Sequence, residues 1–303
     1  MSLFDEDEWN PQLFMSPQQL RRRFELIRNK GCTVLPLSDG IKRLYDGTLP
    51  KKAVSITFDD GLFDFYDRAL PVLIEYGFHA TLYTTTFYVQ YNKPVFGVSV
   101  DYLLWKARAE KLDCGTFIDF DEVFDLSVDV ERKRACSLIC DYVLKNDFSA
   151  EQKNGVLEKL CADLRIDWDK FCESRVLQLM TSDELAAVAN SGVDVELHTH
   201  RHRAPLNEQL FNREIDDNRR VIENATSRRP THFCYPSGKY DSRYIPWLNK
   251  AYIESATTCE AALAGHSSHK FMLPRLIDTC SLSDLEFESW LDGVSHFFPQ
   301  RRA

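Results

Sequence analysis

The run Ala53-Val54-Ser55-Ile56-Thr57-Phe58 is apolar and β-branched, and it stops abruptly at Asp59-Asp60-Gly61. A run of that kind suits a strand buried on both faces. Residues 65–76 then read as a helix closed by Gly77, and residues 80–87 as a second strand, rich in β-branched and aromatic side chains. Strand, helix, strand at this spacing is a βαβ unit, and it commits the chain to a parallel sheet. Functional groups of such sheets gather at the carboxyl ends of the strands. The paired carboxylates of Asp59 and Asp60 stand at such an end.

A second strand end presents different chemistry. Val193-Asp194-Val195-Glu196-Leu197 alternates like a strand and delivers His198-Thr199-His200-Arg201-His202. Before it, Ser182 is expected to cap a short helix over 183–189, stopped by Gly192. After it, a helix carries Leu210, Phe211, Ile215, Val221 and Ile222 on one side. Strands at 231–235 and 255–259 follow, then a final segment from Leu273. Near the start, Ser16, Pro17 and Gln19 spell a capped helix that Gly31 ends. A strand over 33–37 and a helix over 38–45 come next. Residues 92–175 break the βα rhythm with charged, helix-forming stretches at 101–111 and 130–144. They read as a helical insertion within a single domain spanning 1–303.

One carboxylate and two imidazoles suit a borderline divalent ion: zinc, cobalt or nickel. Three protein ligands leave positions open for water and substrate, the catalytic arrangement. A second carboxylate beside the ligand has a water proton within reach and can serve as general base. Either motif alone is commonplace, as a turn or a surface histidine cluster. Both at parallel strand ends are not.

Composition narrows the partners. With 37 Lys+Arg against 46 Asp+Glu the net charge is −9, and the basic runs (Arg21-Arg22-Arg23, Arg228-Arg229, Arg301-Arg302) are short. That argues against nucleic acid as a partner. No stretch reaches the roughly 18 apolar residues of a membrane span, and the acidic start gives no signal peptide. A cytoplasmic location is the expectation. Nine cysteines, an odd number without a CxxC pair, fit a reducing compartment. Cys136 and Cys140, four apart on a helix, are either two buried thiols or half a metal site.

Thr57-Phe58-Asp59-Asp60-Gly61 resembles the first motif of the polysaccharide deacetylase family, the NodB-homology domain of carbohydrate esterase family 4. His198-Thr199-His200-Arg201-His202 matches its second motif, H-[ST]-x-x-H. The segment from Phe233 to Asp241, with Tyr235-Pro236-Ser237-Gly238, is similar to the third, and Leu273-Pro274-Arg275 to a late LPR segment. The resemblance implies a distorted (β/α) barrel of the NodB type, with one divalent metal ion, zinc before cobalt or nickel. The substrate it implies is an N-acetylated sugar whose acetyl group is hydrolysed from nitrogen. Asp60, His198 and His202 would bind the metal, and Asp59 would act as base. A backbone N–H near Ser237, with Tyr235 beside it, would meet the oxyanion. Thr199 would steady the site by hydrogen bonding.

Two departures stand out. Where many members carry an Arg that orients the base, this chain has Cys234, and Arg275 is the replacement expected in space. The L-x-H-D segment that supplies a general acid in many members is missing, which leaves His200, His232 and His296 as candidates. Two alternatives to acetyl removal stay open: cleavage of another amide, such as a formamido sugar or small cyclic amide, and a non-catalytic carbohydrate binder.

Overall fold

The computed structural model describes residues 1–294, so His296 and the Arg301-Arg302 pair lie outside the described residues. The chain packs as two compact units: Met1–Gln90 with the chain from Met180, and Tyr91–Leu179. Among the described residues no helix is long and apolar enough to cross a membrane.

The first unit is built on a five-stranded parallel sheet: β1 (Ile56–Phe58), β2 (Ala80–Thr84), β3 (Asp194–Leu197), β4 (His232–Cys234) and β5 (Ser255–Thr257). Spatial order equals chain order, and every pair is parallel. Each crossover therefore steps in the same direction, and the sheet curls into a distorted (β/α) half-barrel. All five residues of β2 are buried, which is why its sequence is apolar without alternation. Beyond β5 the chain returns at Leu273, whose N–H donates to Ala256 O at 2.9 Å and whose carbonyl accepts from Thr258 N at 2.9 Å. That bridge carries Arg275 to the same end of the sheet as Asp59.

Helices α1 (Pro17–Asn29), α2 (Leu70–Tyr76), α3 (Ser182–Asn190) and α4 (Glu208–Thr226) form where expected, and of the α4 stripe Phe211, Ile215 and Ile222 are buried while Leu210 faces outward. Ser16 Oγ accepts from Gln19 N at 3.2 Å, and Pro17 opens α1. The cap of α3 differs from the expectation. Thr181, not Ser182, accepts from Glu184 N and completes a capping box, because only Thr181 has Glu three residues on. The expected strand over 53–58 is two pieces. Ala53–Val54 pairs with Thr33–Val34, and Ile56–Phe58 pairs with β2. The break falls at Ser55, whose hydroxyl bonds Leu35 O at 3.1 Å. Residues 65–69 form a wide π turn ahead of α2.

The second unit is mainly helical, with helices Phe96–Lys106, Asp129–Lys145 and Ala150–Asp163. The helix expected over 101–111 starts five residues earlier, because Phe96, Val100, Leu103 and Leu104 form its buried stripe. Lys111–Asp113 instead pairs antiparallel with Val123–Asp125, a ladder too short to show as a sequence pattern. Cys136 and Cys140 are both free and half-buried. No third donor joins them among the described residues, so the half-metal-site reading finds no support.

One side chain ties the strand ends together. Asn218 of α4 is fully buried. Its Oδ1 accepts from His198 N at 2.9 Å, and its Nδ2 donates to Thr84 O and Thr86 Oγ1, both at 3.0 Å. Asn218→Leu keeps the bulk and removes all three hydrogen bonds, leaving Thr86 Oγ1 with His200 alone. We expect a loss above ~2 kcal/mol in urea unfolding; a change within experimental error would show that the three bonds do not hold the strand ends.

Candidate metal centre at the strand ends

The site begins with backbone geometry. Asp60 has φ 73° and Gly61 φ 83°. A Cβ at Gly61 would sit 2.0 Å from Thr84 Oγ1 and 2.8 Å from Thr84 Cβ. Only glycine lets β1 turn this closely against β2, which accounts for the third residue of Asp-Asp-Gly. Asp60 O accepts from Thr85 N at 3.0 Å and locks the turn. Thr199, His202 and Ser237 also have positive φ, at 64°, 52° and 54°. Left-handed non-glycine residues carry a strain of roughly 1–3 kcal/mol each and persist where their surroundings hold them.

Asp60 Oδ1 lies 3.4 Å from His198 Nε2 and 3.4 Å from His202 Nε2. These three donors fall into one group that could hold an ion. His198 is buried, and its Nδ1 sits 2.8 Å from Cys234 O. A carbonyl only accepts, so Nδ1 carries a proton and Nε2 is the nitrogen turned toward Asp60, the one that can give its lone pair to an ion once it is unprotonated. Burial works against a charged His198, yet the fields of Cys234, Asp60 and Asp59 raise its pKa well above the ordinary histidine value. The spot therefore favours positive charge, and its donor set fits zinc or a similar divalent ion.

Asp59 meets a different partner. Arg275 Nη1 and Nη2 donate to Asp59 Oδ1 and Oδ2, each at 2.7 Å, a two-pronged fork. Arg275 is itself held by Thr258 O at 3.0 Å, Thr57 Oγ1 at 3.1 Å and Cys234 Sγ at 3.0 Å. Burial pushes the Asp59 carboxyl up, but the Arg275 charge and its hydrogen bonds outweigh that and hold it at about 2. Cys234, fully buried, leaves the space that the guanidinium fills from the Leu273 bridge.

The remaining residues divide clearly. Thr199 Oγ1 accepts from Arg203 N at 3.0 Å and braces the histidine loop. Tyr235 does not serve as expected. Its N–H donates to Thr257 O at 3.2 Å and its hydroxyl to Phe271 O at 3.0 Å, so neither is available to a substrate. Ser237 is exposed, and its N–H has no protein acceptor among the described residues. It lines a cleft of about 260 Å³ with His202, Arg203, Lys239 and Tyr244. His200 Nδ1 bonds Thr86 Oγ1 at 2.9 Å, and its ring packs edge-on against Phe87. His232 is buried, with Nδ1 on Ser255 Oγ at 2.8 Å. Both imidazoles are committed to internal contacts.

Sequence reading missed Asn218 and Glu214. Glu214 is buried, and its carboxylate takes Arg201 N at 2.8 Å, Arg201 Nη1 at 3.1 Å and Arg203 Nε at 2.9 Å. It thereby pins the loop that carries His202. A signal existed: Glu214 and Asn218 are four apart on the face of α4 that buries Phe211, Ile215 and Ile222. Polar residues on an apolar stripe need buried partners.

Comparison with known proteins agrees with this geometry. The sequence profile for polysaccharide deacetylase matches residues 46–111 and 151–256, together more than half the chain. Poly-beta-1,6-N-acetyl-D-glucosamine N-deacetylase of Escherichia coli (strain K12) is 40% identical over 72 residues, which is 22% of this chain and 11% of that protein. YxkH of Bacillus subtilis (strain 168) is 21% identical over 117 residues, 38% of this chain and 42% of its own length. The chain thus matches less than half the length of either relative. The structure of the Streptococcus pyogenes deacetylase PplD, in complex with acetate, superposes with a TM-score of 0.62 at 15% identity. That match covers 97% of this chain and 93% of the other, a likeness of fold.

Two outcomes follow from the geometry. Asp60→Ala, His198→Ala and His202→Ala should each lose tight zinc, read by elemental analysis after dialysis; full retention in all three would overturn the ligand set. Arg275→Met should destabilise the metal-free protein by ~1–2 kcal/mol at pH 7, because it removes a charge-assisted fork from a carboxylate that keeps part of its solvation. Asp59 is held at about 2 against 3.8 unperturbed, so the fork's stabilisation is complete above the higher value and fades as pH falls through the lower. The stability gap between wild type and variant, from urea unfolding, should therefore narrow between pH 5 and pH 2.5. A constant gap would mean that the ion pair is not what Arg275 contributes.

Proposed function

The chain belongs to the polysaccharide deacetylase family, and from that premise we propose that it is a metal-dependent hydrolase that removes the N-acetyl group from an N-acetylhexosamine unit of a saccharide. The observation that carries the reading is the convergence of Asp60, His198 and His202 on one point beside the Asp59–Arg275 fork. A binding module has no need of a second carboxylate held ionised next to its ligand set.

In this reading Asp60, His198 and His202 hold the ion. Because a carboxylate held at about 2 is a weak base, the ion, when bound, supplies what that base needs: an acidified water and a Lewis acid at the amide carbonyl. Asp59 takes the water proton, and Arg275 keeps both carboxylate oxygens aligned for it. The Ser237 N–H, without a protein acceptor, donates to the oxygen that becomes negative as the carbonyl turns tetrahedral. The proton on Asp59 is then at hand for the departing amine. His200 and His232 are bound elsewhere and do not supply it. Residues 91–179, which pack as a unit of their own, are read as an insertion in the deacetylase domain.

The substrate trial starts from the relatives' chemistry: short β-1,6-linked N-acetylglucosamine oligomers, with acetate release measured enzymatically. Asp59→Asn should retain zinc and lower kcat by ~10²–10⁴-fold. Unchanged kcat would remove Asp59 as the base. Formate release from a formamido sugar, with no acetate from any acetylated sugar, would replace the acetyl reading.

A further inference from the structure

We propose that the cleft beside the ligand set is an anion subsite, in which Lys239 and Arg203 select saccharides bearing a negatively charged substituent, phosphate or carboxylate, near the N-acetyl group. The proposal deepens the deacetylase reading and rests on it for the position of the reacting centre.

The cleft's polar lining is cationic. Lys239 makes no ion pair among the described residues. Arg203 spends only its Nε on Glu214, at 2.9 Å; its two terminal nitrogens have no protein partner among the described residues, and its side chain is 61% exposed. No carboxylate lines the cleft. Elsewhere on this chain exposed cations are commonly paired: Lys30 with Asp292, Lys250 with Glu208, Arg243 with Asp241. In a protein of net charge −9, an unpaired ammonium beside a guanidinium whose two terminal nitrogens are open marks a place where negative charge is wanted.

The wall is also built. Buried Glu214 fixes the Arg203 stem, and the Tyr244 hydroxyl donates to Ala204 O at 2.5 Å, holding the loop that follows His202. Lys239 N–H donates to Pro236 O at 3.2 Å and keeps its residue beside Ser237. An anion between the two cations would receive charge-assisted hydrogen bonds from a guanidinium fork and an ammonium, with the Ser237 hydroxyl as a further donor. His202 lines the same cleft and is a member of the ligand set. A group held there lies within one sugar residue of the reacting amide.

The experiment uses the zinc-loaded protein and three substrates, one neutral and two anionic: N-acetylglucosamine, its 6-phosphate and N-acetylmuramic acid. The wild type should prefer a charged sugar in kcat/KM, and which one it prefers assigns phosphate or carboxylate. Lys239→Glu should cut the charged-over-neutral ratio of kcat/KM about tenfold, with the change in KM, and Lys239→Arg should restore most of it. Equal losses on charged and neutral sugars, or a wild type that prefers the neutral one, would overturn the subsite. If no acetylated sugar turns over, the deacetylase reading fails first. The subsite is then read by thermal shift with inorganic phosphate: stabilisation of wild type but not of Lys239→Glu upholds it, and no difference between them overturns it.

Discussion

Two adjacent carboxylates at the end of one strand set the terms for the rest of this structure. Asp59 and Asp60 are neighbouring like charges, and each is stabilised by a partner of its own. The fold gives them separate partners. Asp59 receives a guanidinium through two 2.7 Å hydrogen bonds, and Asp60 receives two imidazole nitrogens at 3.4 Å. The left-handed backbone at Asp60, permitted by the bare Gly61 that presses on Thr84, makes that separation possible.

The partners come from two segments, the loop after β3 and the chain beyond the Leu273 bridge, and each is placed by something other than the site itself. Buried Asn218 stitches His198 to the end of β2. Glu214, one helical turn earlier, clamps the arginines that flank His202. The Leu273 bridge along β5 delivers Arg275. These supports are hydrogen-bonded and buried, so the strained residues Thr199, His202 and Ser237 have no cheaper conformation to relax into.

The electrostatic result is asymmetric. Asp59 is held in its ionised form by a permanent cation, while Asp60 and the histidines form a spot that favours positive charge. In the proposed reading the first accepts a proton and the second holds an ion. Identical side chains take opposite tasks because their neighbours differ. Lys239 and Arg203 add positive charge just beyond, so an acidic protein carries cationic side chains along this cleft.

The parallel sheet was legible in the chain, from the βαβ spacing and the runs without polar alternation. So were Asp60, His198 and His202 as candidate ligands, because Asp-Asp-Gly and H-x-x-x-H are local patterns whose chemistry is written in neighbouring residues. The sequence by itself could not determine that Tyr235 spends its polar groups inside the core, that Glu214 and Asn218 face the site, or that Arg275 answers for the missing arginine at Cys234. Arg275 is 216 residues from Asp59. Its pairing depends on which strand lies beside which and how far the last segment slides along the sheet edge. Only the tertiary structure decided these, since burial and hydrogen bonding between distant segments are set by packing and leave no periodic mark on the chain.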